Sequence, residues 1–228
     1  MSRAQHTSFE DCPLPLLINE SLMWSTYLAT NMESMLSIEE LRTVSSSLRK
    51  EGLNSQQIAD ELSLSQDTIS WLLAGSQQNE ERPTDVRIGW RTIGVKPNRI
   101  AAIGTIMADV ADEELGFNEI DTVVGISING ISFAHEVARN LDCEFTVYRT
   151  TDGGDGSGSL SSKYGQVSGK KVVIIDDVLS TGKTMTKTIN SIRNAGGEVG
   201  LVIVLVNKTM RNEIEGVPLR GVIRAFSV

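Results

Sequence analysis

Histidine and cysteine are nearly missing from this 228-residue chain, which holds only His6, His135, Cys12 and Cys143. Two distant thiols and two distant imidazoles make no disulfide framework and no zinc-ligand spacing, so both cysteines read as reduced and structural. Long apolar runs are lacking as well. The longest, Leu201 to Val206, is strand-sized, far short of the roughly 18 residues that cross a bilayer. Residues 1–18 have neither a basic start leading into an apolar stretch nor a cleavage site, so a cytoplasmic chain with no membrane partner is expected. Positive charge is in deficit: 21 Lys and Arg against 29 Asp and Glu give a net charge of −8. That balance favours solubility and disfavours loose attraction to polyanions. Core-forming residues are present in ordinary amount, at 40% hydrophobic, and the length fits one domain of usual size plus a small module.

The densest chemistry lies at Val172 to Thr184, Val-Val-Ile-Ile-Asp-Asp-Val-Leu-Ser-Thr-Gly-Lys-Thr. A four-residue apolar strand is followed by two carboxylates, a short polar loop and the start of an amphipathic helix. Asp176 and Asp177 at the strand end can accept hydrogen bonds from vicinal sugar hydroxyls. The backbone N–H groups of Ser180, Thr181, Gly182, Lys183 and Thr184 can converge on an anion at a helix N-terminus. A Walker A loop is the rival, but it requires a glycine where this chain has Asp177, and a carboxylate there would repel phosphates. The order predicts a phosphorylated sugar as ligand, with Val178 and Leu179 completing the loop.

A second unit precedes it. Glu40 to Lys50 carries Leu41, Val44 and Leu48 at helical spacing and stops at Gly52; Ser55 can cap a helix through Leu62, and Ser65 another through Ala74. The apolar order Ile58, Ala59, Leu62, Leu64, Ile69, Leu72 is that of a helix-turn-helix, with the small Ala59 where two helices cross and Leu64 plugging the corner. Ser63 stands where glycine is usual. On this reading Gln66, Asp67, Thr68 and Ser70 face base edges of double-stranded operator DNA, with Ser65 at the helix start and Gln56 and Gln57 near the DNA backbone. Local charge pulls the other way: Arg42, Arg49 and Lys50 meet Glu39, Glu40, Glu51, Asp60, Glu61 and Asp67, whereas DNA-binding surfaces are normally basic. A dimer concentrating its few cations, a weak DNA affinity and a protein partner all remain open.

Residues 1–36 form an N-terminal extension without an assigned role, 37–75 the helical DNA-binding unit, 76–85 a polar linker, and 86–228 an effector-binding domain. After Asp85 strands and helices alternate: a helix striped by Ile100, Ile103, Met107 and Val110, then a strand at Thr122 to Ile126. A helix with Ala134, Val137, Ala138 and Leu141 follows, then strands at Glu144 to Tyr148 and Lys171 to Ile175. A helix stopped by Gly196-Gly197, a strand at Val199 to Val206 and a last strand or two within Val217 to Val228 complete it. This alternation predicts an α/β domain with a mainly parallel sheet. Ligands of such sheets bind at the carboxyl ends of strands, so Ser127, Ile128, Asn129 and Gly130 should share a rim with the Asp176 loop. Thr150 to Gly169 reads as one long loop between strands.

The Val172 to Thr184 segment resembles, over all thirteen residues, the 5-phosphoribosyl-1-pyrophosphate (PRPP) motif of type I phosphoribosyltransferases, and Gly125, Asn129 and Gly130 resemble that family's pyrophosphate loop. Thr150 to Gly169 stands where orotate phosphoribosyltransferases carry a lid rich in lysine and histidine. Here only Arg149 and Lys163 are basic while Asp152 and Asp155 are acidic, so the lid is chemically disarmed. Together with the helical unit, residues 37–228 resemble the archaeal GfcR family of sugar-catabolism regulators, in which a helix-turn-helix precedes a type I phosphoribosyltransferase-like domain. That resemblance implies a DNA-binding regulator, dimeric or larger, with PRPP or a phosphorylated sugar as effector; Mg²⁺ is a possible companion of that ligand, and no residues are assigned as metal ligands. The alternatives are an active orotate or purine phosphoribosyltransferase using Mg²⁺, with Lys163, Asp176 and Asp177 as its catalytic set, and a sugar sensor whose helical unit docks a protein.

Overall fold

The computed structural model describes residues 36–74, 83, 85–150 and 158–225, with Phe117 described by its backbone alone. The N-terminal extension up to residue 35, nearly all of the 76–85 linker, part of the expected lid (151–157) and residues 226–228 lie outside the described residues.

The helical unit contains α1 (Ile38–Lys50), α2 (Ser55–Leu62) and α3 (Gln66–Ala74). Ser37 and Glu40 form a reciprocal capping box at the start of α1, and Glu39 with Glu40 there and Arg49 with Lys50 at its end complement the helix dipole. The cap of α2 is Asn54, closed in a box with Gln57, not Ser55 as the sequence suggested. An asparagine carboxamide reaches the third helical N–H as well as a serine does, and Ser55 is already helical. Ser63 adopts a left-handed conformation with φ 53° and ψ 41°, the turn geometry expected of the position. Val44, Leu48, Ile58, Ala59, Leu62, Ile69 and Leu72 close a small core of their own. Arg42 also lies over the Trp71 ring at 4.8 Å, a cation–π contact linking α1 to α3.

The second unit begins with the short α4 (Arg91–Gly94) and the long α5 (Pro97–Leu115), whose proline occupies a first-turn position where no N–H is needed. Then follow β1 (Thr122–Ile126), α6 (Gly130–Leu141), β2 (Glu144–Thr150), β3 (Gly158–Leu160) and β4 (Lys171–Leu179). The chain continues through α7 (Lys183–Asn194), β5 (Glu198–Asn207), β6 (Glu213–Ile214) and β7 (Val217–Arg224). The strand order is β3-β2-β1-β4-β5-β7-β6. Pairings among β2, β1, β4, β5 and β7 are all parallel, and only the edges β3 and β6 run antiparallel.

Such a sheet must be covered on both faces. Ala108, Ala111, Phe133 and Val137 from α5 and α6 pack against Val123, Val173, Ile175, Leu201 and Ile203 on one face. Met185, Ile189 and Ile192 from α7 cover Val124, Ile174, Val202 and Val204 on the other. This double cover explains why Val172 to Ile175 reads as an unbroken apolar run, since neighbouring residues point to opposite faces and both are dry.

Two expectations are corrected here. β4 does not end at Ile175 but pairs on with β5 through Leu179 opposite Asn207, so Asp176 and Asp177 sit on a strand extension. The Thr150 to Gly169 stretch is not one continuous loop. Gly158–Leu160 pairs with Tyr148 to Thr150, Ser161 N–H donates to Val147 O, and Val167 is buried. An edge strand needs only a few residues to satisfy its backbone, too short a stretch for alternation to reveal.

Candidate functional site

Three chain segments meet at the carboxyl ends of β1 and β4. Ser127, Ile128 and Asn129 follow β1, and the run from Asp176 through Thr184 comprises the end of β4, the turn after it and the start of α7. The Ser127–Ile128 peptide bond is cis. Gly130 opens α6 directly under Asp176: a Cβ there would lie 2.7 Å from Ile175 O and 3.0 Å from the Asp176 Cα. Only glycine lets the helix start so close to the strand. Gly182 precedes α7 with φ 84° and sets the turn that brings the helix N-terminus to the cavity. The first N–H groups of such a helix have no partner within it and face an anion site.

Asp176 and Asp177 crowd together. Asp177 N–H donates to Asp176 Oδ1 (2.9 Å), while Asp177 Oδ2 accepts from Asn129 Nδ2 (3.0 Å) and from the Trp90 indole N–H (3.0 Å). Loss of hydration pushes the Asp176 pKa well above the usual carboxylate range, with the Asp177 charge adding to it. Asp177 is also raised by burial, against the pull of hydrogen bonds from Val178, Asn129 and Trp90.

The third wall comes from the helical unit itself. Gln56, Ala59, Asp60, Ser63, Leu64 and Gln66 line the same cavity as the Asp176 loop. Gln56 Nε2 donates to Asp60 Oδ1 (2.9 Å), and burial drives the Asp60 pKa up to about 7, reinforced by the Asp177 charge. Nothing in the sequence analysis placed these helices against the Asp176 loop. Local patterning identifies helices but not the distant surface they cover.

Asp85 holds the wall in place. Its Oδ2 accepts from Ser65 N–H (2.6 Å) and Thr68 Oγ1 (2.9 Å), and its Oδ1 meets Lys208 Nζ at 2.5 Å. The side chains of Asp85 and Lys208 are only 7% and 5% exposed. Burial alone would raise the Asp85 pKa, but Lys208 and the hydrogen bonds from Ser65 and Thr68 hold it below the usual value. Arg87 Nε adds a bond to Leu62 O (3.2 Å), and Asp67 Oδ1 reaches Lys183 Nζ at 3.3 Å.

The residues named from sequence therefore divide. Ser127, Ile128, Asn129 and Asp176 to Thr184 come together, with Gly130 beneath them, while Arg149 and Lys163 are exposed and do not line the cavity. Arg149 instead donates to Ser161 Oγ at 3.4 Å. Of the residues assigned to DNA, Gln56 and Gln66 face the cavity, Asp67 pairs with Lys183, and Ser65 and Thr68 bind Asp85, Thr68 being buried. Gln57 is used in the α2 cap, and Ser70 is exposed with its hydroxyl donated to Gln66 O. Asp60, Asp85, Trp90 and Lys208 were not foreseen. Trp90 alone left a trace, because a tryptophan in a polar segment needs a partner for its indole N–H once buried.

Residues 89–225 match the family model described as the phosphoribosyl transferase domain. The chain is 43% identical over 192 residues to a protein of Thermoplasma acidophilum named transcriptional regulator GfcR, covering 83% of this chain and 96% of that one. It is 37% identical over 199 residues to the Archaeoglobus fulgidus protein of the same name, covering 85% and 100%. Among solved structures, adenine phosphoribosyltransferase from Thermoanaerobacter pseudethanolicus superposes with a TM-score of 0.50 at 21% identity, covering 64% of this chain and 92% of that one. That likeness extends to the fold.

Proposed function

The chain belongs to the phosphoribosyl transferase domain family and, over most of its length, to the GfcR transcriptional regulators, and from that membership we propose a regulator that senses a phosphorylated sugar or PRPP. The helical unit at 37–75 binds operator DNA, and the domain at 86–228 holds the effector. The observation that carries this reading is the Asp176–Asp177 pair placed beside the Ser180–Thr184 turn in one cavity. The two carboxylates accept sugar hydroxyls and the start of α7 takes the phosphate.

Among the described residues lining that cavity Lys183 is the one cation, against Asp60, Asp176 and Asp177. This charge balance supports a sensor over an enzyme, because breaking a glycosidic bond needs fixed positive charge around the departing group. Among the described residues no cluster of three or more His, Cys, Asp or Glu side chains is placed to hold a metal. Mg²⁺ would enter with the ligand's phosphates, helped by one or two carboxylates. A homodimer is the assembly proposed, since one acidic helical unit gains a useful DNA affinity only when paired over two half-sites.

A thermal-shift panel of PRPP and sugar phosphates, with and without Mg²⁺, tests the sensor, because a true effector stabilises in proportion to the logarithm of its concentration over Kd. Footprinting upstream of sugar-metabolism genes tests the regulator. Turnover of orotate or a purine with PRPP, abolished in Asp176→Ala, would replace the sensor with an enzyme.

A further inference from the structure

The first turn of a recognition helix is the part that meets base edges in the major groove. Here that turn is already engaged within the chain. Asp67 lies on Lys183, the first residue of α7 and the cation at the phosphate seat (3.3 Å). Ser65 and Thr68 are tied through Asp85 to Lys208, just beyond the end of β5. Gln66 lines the cavity. The same surface of α3 cannot enter a groove and stay on the sugar site.

The docked helices also bring charge of the wrong sign to a phosphate. Asp60 projects into the cavity toward Asp177, and Asp67 occupies the Lys183 ammonium that a phosphoryl group needs. A ligand phosphate carrying about −1.5 to −2 charges at neutral pH must displace Asp67 from Lys183 and meets Asp60, which is partly ionised there. We propose that the recognition helix and the ligand's phosphate compete for the α7 N-terminus, so that ligand binding releases the helical unit from the effector domain and frees α3 for DNA. This rests on the sugar-phosphate reading above and adds its direction: the ligand promotes operator binding, and the ligand-free protein holds its recognition helix shut.

Competition predicts that loosening the dock tightens the ligand. Lys208→Met removes the anchor of Asp85, which lies outside the residues lining the cavity. A simple field effect of losing this cation would weaken anion binding, whereas release of the competitor strengthens it. Titrations of the full chain with ribose 5-phosphate, and in parallel with PRPP and Mg²⁺, should give a Kd at least about fivefold lower in Lys208→Met. Thr68→Val, which deletes one hydrogen bond to Asp85 without changing charge, should shift Kd the same way by less and covers the case in which Lys208→Met does not fold. Amide exchange at Ser65 to Thr68 should accelerate in wild type when either probe is added.

Wild type and variants binding a probe equally, or variants binding it more weakly, overturns the competition while leaving the sensor intact. So does slower exchange at Ser65 to Thr68 with ligand, which would make the helices a lid that closes on it. No binding of either probe by wild type or variants overturns both readings together.

Discussion

At the scale of single residues, the site is a cluster of carboxylates whose pKa values burial raises. Asp60, pushed up to about 7 by burial and the Asp177 charge, keeps a proton in the folded protein that the unfolded chain releases near pH 3.8. Its contribution to stability is therefore complete below that value and is lost as pH rises through about 7. Between pH 5 and pH 8 the melting temperature of wild type should fall more than that of Asp60→Asn, and at pH 8 the variant should be more stable by about 1–2 kcal/mol after solvent screening. Parallel melting curves across that range would show that Asp60 is ionised throughout. Asp176 offers an effect of two signs. Asp176→Asn removes a charge crowded against Asp177, so the ligand-free protein should melt higher at pH 8, while stabilisation by ribose 5-phosphate should drop at least about tenfold in apparent affinity. A variant that lost both stability and binding would instead give Asp176 a structural role.

At the scale of elements, periodicity made most of the architecture legible. The three helices of the small unit, the helix striped by Ile100 and Met107, and the strand at Thr122–Ile126 are visible in the sequence because each buries one face or both. What escaped was settled by contacts distant in sequence. β4 extends past Asp177 because β5 continues beside it to Asn207, and β3 exists because β2 offers an open edge. Neither partner can be read from the residues that respond to it. The Val172 to Thr184 segment was legible as strand, turn and helix because its pattern is local, whereas Asp60 and Trp90 reach Asp177 from other parts of the chain. One element retains a cost the sequence did reveal: Ser63 holds a left-handed backbone between α2 and α3. Ser63→Gly should raise the unfolding free energy of the helical unit by about 1 kcal/mol, read from a denaturant midpoint shift at constant slope.

At the scale of the whole molecule, two units with separate cores meet at a junction whose buried member is Asp85. Lys208→Met should cost about 3 kcal/mol by leaving the Asp85 charge without its cation, and Asp85→Asn in the same chain should recover part of that loss, as thermal melts of the two variants would show. Equal melting of the single and double variants would mean that the pair contributes nothing beyond packing. The clamp spans a short stretch of covalent chain, since Ala74 ends α3 and Asp85 already belongs to the far side. The ten residues between them can span at most about 35 Å, which keeps the helical unit at a high effective concentration near the cavity it lines. Cutting the peptide between 75 and 84 would turn a first-order equilibrium into a second-order one. The severed piece that carries α1 to α3 would then associate with its former body at an affinity measurable by dilution, and any molecule that fills the cavity between them would appear in that measurement as a simple inhibitor.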